Sequence, residues 1–305
     1  MKKIFKPIGL LLAFLVVFAL IGKTNVMPVK AATLATPTVI SNNMVLQRNM
    51  IVPIWGTGTA GVTVTVSFNG QNVATTVGAD GKWRVNLASM AATTSPLTMT
   101  ITSSDSQSIT YSNVQVGEVW LGSGQSNMDF GLSASVGGAE AVADSANYNI
   151  AWYDQRNPSA GWVTINPSTA GGMSAIGFYS SREYAQHQLA GIPIGFVQSA
   201  LGGSKIETWT TNCSGCGGSN YFSLIVPIQP YALRGAYWYQ GEGNTSQSDT
   251  YTTMLRGLMS QWRNEWGQGD FPFYIVQLPW SPSPHREGWA GLQEDERLVA
   301  FTDPN

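Results

Sequence analysis

The chain has 305 residues, a formal net charge of −2 and 11% charged residues, against about 25% in an average soluble domain. Hydrophobic residues make up 43% and aromatic residues 11%, which excludes an intrinsically disordered chain and allows one large or two ordinary domains. Residues 1–32 hold five of the 16 basic residues and no acidic one, so the remainder has a net charge of −7. An acidic chain without a basic run makes nucleic acid a poor partner.

The first 32 residues have the organisation of a secretory signal peptide. Lys2, Lys3 and Lys6 form a basic start, residues 8–22 are apolar, and residues 29–31 offer small side chains near the cleavage point. The alternative is a membrane anchor, but this apolar run is shorter than the roughly 20 residues that span a bilayer. We therefore expect a secreted, periplasmic or cell-surface protein with no membrane contact after cleavage of the signal.

The two cysteines, Cys213 and Cys216, form a C-x-x-C pair in a glycine-rich loop. Export permits disulfide bonds, so a local disulfide that closes this loop is the favoured interpretation. A redox or metal role is the alternative. Zinc needs about four ligands, however, and the chain has no second cysteine pair and only two histidines.

An all-β segment is predicted first, over residues 33–113. Residues 62–68 alternate apolar and polar side chains, as in a half-buried strand, and Asn69-Gly70 then predicts a hairpin turn. Asp80-Gly81 predicts a second turn, and residues 97–101 repeat the alternation. Short strands at this spacing indicate an antiparallel β-sandwich, with a structural role or a role in shaping a glycan site.

From residue 114 onward the pattern predicts strands that alternate with helices. Such an alternation implies right-handed crossovers and a parallel sheet, whose ligand sites form at the carboxyl ends of the strands. The strands are predicted at 114–121, 194–197, 236–239 and 273–278, and one helix at 178–190. A second helix is predicted to start at a cap on Asp249 and to bury Tyr251, Met254, Leu255, Leu258, Trp262 and Trp266.

Three of these strands end in residues suited to ester chemistry. Ser126 follows the first strand through a glycine-rich turn, which would expose its hydroxyl and direct backbone N–H groups to one point. Gly202-Gly203 follows the second strand, where glycine lets the backbone come close to a ligand. Asn244 follows the third and offers an amide donor. The alternative for Ser126 is a capping serine in a Gly/Ser-rich loop.

Motifs of several other site types are absent. The sequence has no G-x-S-x-G elbow, no H-E-x-x-H zinc motif and no phosphate-binding P-loop. Glu207 and Glu242 both follow strand ends, so a pair of carboxylates for glycoside cleavage stays open as an alternative.

The segments at these strand ends resemble the first three blocks of the sialate O-acetylesterase family, within the SGNH/GDSL hydrolase superfamily. The resemblance extends to the β-rich segment and covers nearly the whole chain after residue 32. It implies a flavodoxin-like three-layer α/β/α hydrolase domain at 114–305, preceded by the small β-sandwich domain at 33–113, that removes acetyl esters from sugars without metal or cofactor. The matching segments are 44–48, 55–56, 80–83, 124–128, 202–209 and 238–244.

Carried over to this sequence, the resemblance assigns a role to each strand end. It makes Ser126 the nucleophile, with the oxyanion hole formed by its own N–H, by Gly203 and by the side chain of Asn244. The expected substrate is an O-acetylated glycan or sialic acid. The residues expected to contact it are Gln125, Glu242 and Trp209.

The catalytic base is the point at which the sequence departs from the family. The family takes its base from a late D-x-x-H-like block, and no Asp here has a His three positions further on. We therefore expect the hydrolase domain to be C-terminally incomplete. His187 is predicted at the amino edge of the sheet, which favours a structural or surface role. His285 follows the strand at 273–278 and is the candidate substitute base, with an exposed loop histidine as the alternative.

Three functional hypotheses follow. The first is a secreted carbohydrate O-acetylesterase, sialate- or acetylxylan-specific, whose sequence is truncated. The second is an esterase of this length that uses His285 as its base. The third is a catalytically silent glycan-binding protein, motivated by the 11 Trp residues, of which Trp209 and Trp280 follow strand ends. For most of these Trp residues, packing in the core is the favoured alternative. The sequence leaves the particular sugar and the oligomeric state open.

Overall fold

The computed structural model describes residues 32–93, 95–188, 191–281 and 288–305. The predicted signal peptide, apart from Ala32, and His285 lie outside the described residues. The strands are β1 (Val45–Gln47), β2 (Val52–Thr57), β3 (Thr63–Phe68), β4 (Gln71–Thr76), β5 (Lys82–Leu87), β6 (Leu97–Ser103), β7 (Ser108–Gly124), β8 (Ile150–Asp154), β9 (Trp162–Thr164), β10 (Ile194–Ala200), β11 (Gly235–Tyr239) and β12 (Phe273–Ile275). The α-helices are α1 (Ser126–Asp129), α2 (Gly138–Asp144), α3 (Ala175–Glu183), α4 (Ser248–Trp266) and α5 (Trp289–Thr302).

Strand β7 links the antiparallel and parallel parts of the fold. Its first half pairs with β6 in antiparallel register, and its second half pairs with β10 and β11 in parallel register. Side chains at 108–113 alternate between exposed and partly exposed, whereas residues 116–124 are buried. This change is typical of a strand that first has one face in water and then has both faces covered. The predicted domain boundary at 113/114 lies inside this strand, and the division stays a prediction.

The predicted parallel sheet is confirmed. Its strands lie in the order β9, β8, β10, β7, β11, β12, and only β9 runs antiparallel to its neighbour. The sequence analysis did not identify β8 and β9, which are short runs of five and three residues. The last strand, β12, is shorter than predicted.

Side chains on the two faces of this sheet enter different hydrophobic clusters. Phe196 and Tyr237 pack in one cluster with Phe178 of α3. Val197 and Trp238 belong to the other cluster, which contains Trp262 of α4. A sheet with helices on both faces is the three-layer α/β/α arrangement that the resemblance implies.

Helix α4 confirms the predicted buried face but not the predicted start. All six apolar residues named for that face are buried. The helix begins at Ser248, and no side chain caps its first turn, so Asp249 is a helical residue and not the cap. It ends at Trp266 and is followed by Gly267, whose φ of 64° is the left-handed conformation that closes many helices. The other predicted helix is split into α3 and a π-helical turn at Tyr184–Gln188.

The β-rich segment folds as its alternation predicts. β3 pairs with β4 and β6, and β2 pairs with β5, all in antiparallel register. Cys213 and Cys216 form the predicted disulfide. Within the described ranges, no helix combines the length and apolarity that a membrane crossing requires.

Candidate active site

Ser126 lies at the carboxyl end of β7 and is the first residue of α1. Its side chain is exposed, and among the described residues its hydroxyl makes no hydrogen bond. Gln125 occupies the N-cap position, so the capping role that was the alternative for Ser126 is not observed. The backbone before it is fixed, because the N–H of Gln125 donates to the carbonyl oxygen of Tyr239 at 3.0 Å. This geometry presents a free hydroxyl at the edge where parallel sheets bind ligands.

The turn that carries Gly203 lies beside Ser126. A Cβ atom placed on Gly202 would be 3.7 Å from the Cβ of Ser126. Gly203 has a φ of 73° and open space around its Cα, and both glycines are exposed. Within the described part of the chain neither glycine N–H has an acceptor. The structure thus places the turn that carries Gly203 beside the nucleophile, and the role of Gly203 as an oxyanion donor stays a prediction.

Gln125 and Gln240 connect the strand ends below Ser126. The side-chain oxygen of Gln125 accepts from Nε2 of Gln240 at 3.1 Å and from the backbone N–H groups of Gly241 and Gly243 at 3.5 and 3.3 Å. Gln125 is 4% exposed and Gln240 is fully buried. Gln125 is therefore buried below the surface, and its side-chain oxygen is used to hold the neighbouring loop. Its predicted contact with substrate could involve only Nε2, and it stays a prediction. The sequence analysis gave Gln240 no role of its own. The signal that could have pointed to it is a polar residue directly after a buried strand.

Asn244 is fully buried, and the structure uses its whole amide group. Oδ1 accepts from the backbone N–H of Ile206 at 3.0 Å, which fixes the orientation of the amide. Nδ2 donates to Oε2 of Glu207 at 2.7 Å and to Oε1 of Gln247 at 3.0 Å. Both amide hydrogens therefore already have acceptors. Donation to an oxyanion would require one of these bonds to break, and that predicted role stays untested.

We expect Asn244→Ala to lower the free energy of unfolding by about 2–4 kcal/mol, because it leaves the Ile206 N–H and Glu207 without their buried partner. Urea unfolding measures this loss. Asn264→Ala is the matched control, since Asn264 is exposed on α4, and its effect should stay within about 0.5 kcal/mol. Equal stability of the two variants would contradict the structural role of Asn244.

The two carboxylates of the glycosidase alternative are both engaged in loop contacts. Burial alone would raise the pKa of Glu207, but hydrogen bonds from Asn244 and Gln247 outweigh it and hold this pKa below its ordinary value. Oε1 of Glu242 accepts from Nδ2 of Asn127, the residue after Ser126. A glycosidase general acid needs a raised pKa, so the lowered pKa of Glu207 disfavours that chemistry. The predicted contact of Glu242 with substrate stays a prediction.

Trp209 corrects one prediction. Its side chain is fully buried, its indole N–H donates to Oγ of Ser204 at 2.8 Å, and its ring packs edge-on against Trp238 at 6.2 Å. A buried ring offers no face to a sugar, so Trp209 is a core residue and not a substrate contact. Trp280, the other tryptophan named for this role, is exposed.

An acidic and basic cluster lies one helical turn from Ser126. Asp129, the last residue of α1, is 2.6 Å from the guanidinium of Arg156, which also contacts Asp154 at 3.3 Å. Gln198 donates to Asp129 at 3.0 Å. Burial raises the pKa of Asp129, and Arg156 opposes this rise. Asp129 and Asp154 therefore fix the position of the Arg156 side chain beside α1.

A buried carboxyl group lies behind the loop that contains Gly241. Glu296 of α5 is 1% exposed, and its Oε2 accepts from the backbone N–H of Leu278 at 2.9 Å. Its Oε1 has no hydrogen-bond partner among the described residues, and a Cβ placed on Gly241 would be 2.9 Å from it. Burial raises the pKa of Glu296 to about 8; the Leu278 bond opposes the rise, and Glu242 and Asp295 add to it.

This raised pKa predicts a pH dependence of stability. Between its ordinary pKa of 4.5 and about 8, Glu296 is protonated in the folded state and ionised in the unfolded state. The stability that protonated Glu296 contributes is therefore fully present below the ordinary pKa. As the pH rises towards the folded pKa, the free energy of unfolding falls by about 1.4 kcal/mol per pH unit. Glu296→Gln should remove this loss, so its unfolding free energy relative to wild type should rise with pH and reach roughly 5 kcal/mol near the folded pKa of about 8. Thermal or urea unfolding at several pH values measures it.

Glu294→Gln is the matched control, because Glu294 is exposed on the same helix. Its unfolding free energy should follow the wild-type pH profile. If Glu296→Gln also followed the wild-type profile, the raised pKa would be wrong.

Of the two histidines in the chain, the described ranges include His187 and do not include His285. His187, on the π-helical turn after α3, is exposed and lies 3.5 Å from Glu183, in agreement with the predicted surface role. His285 lies outside the described residues, so its role as base stays a prediction. In the described ranges no group of three or more His, Cys, Asp or Glu side chains could hold a metal ion.

Ser126 is an exposed serine at the carboxyl end of a central parallel strand, beside glycine N–H groups that have no acceptor in the described ranges. This arrangement is typical of a hydrolase of the three-layer α/β/α class. A family model described as "Carbohydrate esterase, sialic acid-specific acetylesterase" matches residues 116–302, more than half of the chain. The chain belongs to this family, which confirms the family predicted from the sequence.

Named relatives and a solved structure agree with this assignment. The sialate O-acetylesterase of Rattus norvegicus is 28% identical over 321 residues, covering 78% of this chain and 59% of the relative. The Homo sapiens sialate O-acetylesterase is 28% identical over 294 residues, covering 78% of this chain and 56% of the relative. The chain thus spans less than two thirds of these relatives. The crystal structure of a carbohydrate acetylesterase from Xanthomonas citri superposes with a TM-score of 0.78 at 29% identity, over 88% of this chain and 66% of that one.

Proposed function

We propose that the chain is a secreted carbohydrate esterase that removes acetyl groups from O-acetylated sugars, with Ser126 as its nucleophile. The observation that carries this proposal is the exposed hydroxyl of Ser126 beside the N–H groups of Gly202 and Gly203, none of which has a hydrogen-bond partner among the residues that the structure describes. Membership of the carbohydrate esterase family and the likeness to the Xanthomonas citri acetylesterase support acetyl-ester chemistry.

In the proposed reaction, Oγ of Ser126 attacks the acetyl carbonyl carbon while a base takes the hydroxyl proton. The N–H groups of Ser126 and Gly203 donate to the oxygen on which negative charge develops. When the tetrahedral intermediate collapses, the carbon–oxygen bond to the sugar breaks and the sugar leaves as an alcohol with that proton. Water then attacks the acetyl-serine by the same route and releases acetate and the free enzyme.

The surrounding residues would hold this geometry. Gln125 fixes the loop at 241–243 from below through its bonds to Gly241 and Gly243. Glu242 holds Asn127 directly after the nucleophile. Gln125 and Glu242 therefore connect the carboxyl ends of β7 and β11, between which the proposed site lies.

Release of acetate from a panel of substrates tests the proposal. O-acetylated sialic acid, acetylated xylan and 4-nitrophenyl acetate would each be supplied to the purified chain and to the Ser126→Ala variant. Release that depends on Ser126 supports an esterase, and the ratio between the two sugars shows which is preferred. Glycan binding without release from any of the three would contradict the proposal and favour a silent binding protein.

The base is tested by a matched pair of variants. His285→Ala should abolish release if His285 is the base, whereas His187→Ala should retain it, because His187 is exposed on the turn that precedes the first residue of β10. Full activity of His285→Ala would exclude His285. Secretion is tested by the amino-terminal residue of exported protein, which should lie close to residue 32.

A further inference from the structure

A cavity of about 580 Å³ lies at the edge of the sheet opposite to Ser126. It opens where β10 and β11 begin, since Glu118 of β7 pairs with Ile194 and Trp120 with Gly235. A volume of about 300–1,000 Å³ is usual for a small-molecule site. The residues that the following argument uses are Arg48, Glu118, Trp120, Arg234, Asp270 and Tyr274.

Two guanidinium groups of this cavity share one buried carboxylate. Glu118, with 6% of its side chain exposed, contacts Nε of Arg48 at 2.5 Å and Nε of Arg234 at 3.5 Å. Both arginines contact it through Nε, and among the described residues their terminal amino groups have no acceptor. Glu118 therefore fixes Arg48 and lies near the more exposed Arg234, and the remaining donors of both arginines are available to a ligand.

Aromatic side chains form another part of the lining. Tyr274 is 45% exposed and packs against Trp120 at 5.4 Å between ring centroids. Trp120 is stacked on Tyr184 at 5.3 Å. The indole N–H of Trp120 is buried and has no acceptor in the described part of the chain. An aromatic surface beside unused polar groups suits a ligand with both an apolar face and hydroxyl groups.

The charges of the lining balance. The cations Arg48 and Arg234 are matched by Glu118 and by Asp270, which is exposed. Unused donors from the arginines thus lie in one cavity with an acceptor from Asp270. A polyhydroxylated neutral molecule can use both kinds of group, whereas an anion would meet the carboxylate of Asp270.

We propose that this cavity is a second binding site, separate from Ser126, and that it binds a neutral sugar unit. The sugar stacks on Tyr274, and its hydroxyl groups accept from the terminal amino groups of Arg48 and Arg234 and donate to Asp270. The site does not depend on the esterase activity, because it lies at the other edge of the sheet.

Binding of neutral disaccharides tests the proposal. Cellobiose, xylobiose and lactose would be titrated at millimolar concentration into the full chain by calorimetry, with glucuronate as the anionic probe. At least one neutral disaccharide should bind more tightly than glucuronate. Arg234→Ala and Tyr274→Ala should each weaken that binding about tenfold or more. Arg84→Ala is the matched control, since Arg84 is exposed on β5, and should change binding less than twofold.

A second measurement locates the bound sugar and separates lost binding from lost folding. Hydrogen exchange with and without the disaccharide should show protection in residues 268–274, and circular dichroism should show that Arg234→Ala is folded. Its side chain is 61% exposed and its contact with Glu118 is long, so little packing is lost. Protection confined to residues 125–128 and 202–204, tighter binding of glucuronate, or no binding of any disaccharide would overturn the proposal.

Discussion

Replacing Ser126 with Ala is expected to lower kcat/KM for acetyl esters by roughly 10⁴- to 10⁶-fold, the range found when a serine hydrolase loses its nucleophile or its proper activation. The oxyanion donors remain in the variant, so some acceleration over the uncatalysed reaction should survive. Because the Ser126 hydroxyl is exposed and makes no hydrogen bond among the described residues, the free energy of unfolding should change by less than about 0.5 kcal/mol. Steady-state kinetics and urea unfolding measure the two quantities.

Ser133→Ala is the matched control for this variant. Ser133 is also an exposed serine, in the short helical turn after α1. The control should keep wild-type kinetics. A Ser126→Ala protein with more than about a tenth of the wild-type kcat/KM would show that another residue is the nucleophile, because a general loss of folding cannot explain retained activity.

The second large effect is expected from Gly124→Ala. Gly124 has a φ of 134°, which residues with a Cβ rarely adopt, and a Cβ there would overlap the carbonyl group of Tyr239. That carbonyl accepts the N–H of Gln125, so the methyl group must push β7 and β11 apart directly before Ser126. We expect a loss of roughly 2–6 kcal/mol in unfolding free energy from strain and overpacking together. A displacement of about 1 Å at the nucleophile should also cost about 100-fold in activity.

Gly61→Ala is the control that separates backbone strain from overpacking. Gly61 has a φ of 80°, but nothing lies within 4 Å of a Cβ placed on it. This control therefore carries only the left-handed strain of roughly 1–2 kcal/mol and should keep full activity. If the two variants lost equal stability and both stayed active, the close approach of Gly124 to Tyr239 would not be required for stability or for activity.

Local patterns were sufficient to predict several elements. The 3–4 spacing from Tyr251 to Trp266 gave the buried face of α4, because a helix with that spacing has one apolar stripe whatever it packs against. The alternation at 62–68 gave β3 within one residue. Polar residues after buried strands located Ser126 and the Gly202-Gly203 turn at one sheet edge, since parallel strands end on the same side.

Other features depend on partners that lie far apart in the sequence. The bond between Gln125 and Gly243 joins residues 118 positions apart, and the bond between Asn244 and Glu207 joins residues 37 apart. No periodicity reports such pairs, which explains why Asn244 appeared as a free donor and Gln240 was not noticed. Trp209 is similar, because an indole after a strand looks the same in the sequence whether it faces a sugar or the core.

The sequence by itself determined the family, the parallel sheet and the edge at which the chemistry should lie, because these follow from local spacing and from short motifs. Only the tertiary structure decided which polar groups are left free at that edge. Hydrogen-bonding capacity is a property of the assembled loops: the amide of Asn244 is used up by Glu207 and Gln247, whereas the hydroxyl of Ser126 has no acceptor or donor among the described residues. That difference leaves the Ser126 hydroxyl available, whereas donation by Asn244 to an oxyanion would require one of its present hydrogen bonds to break.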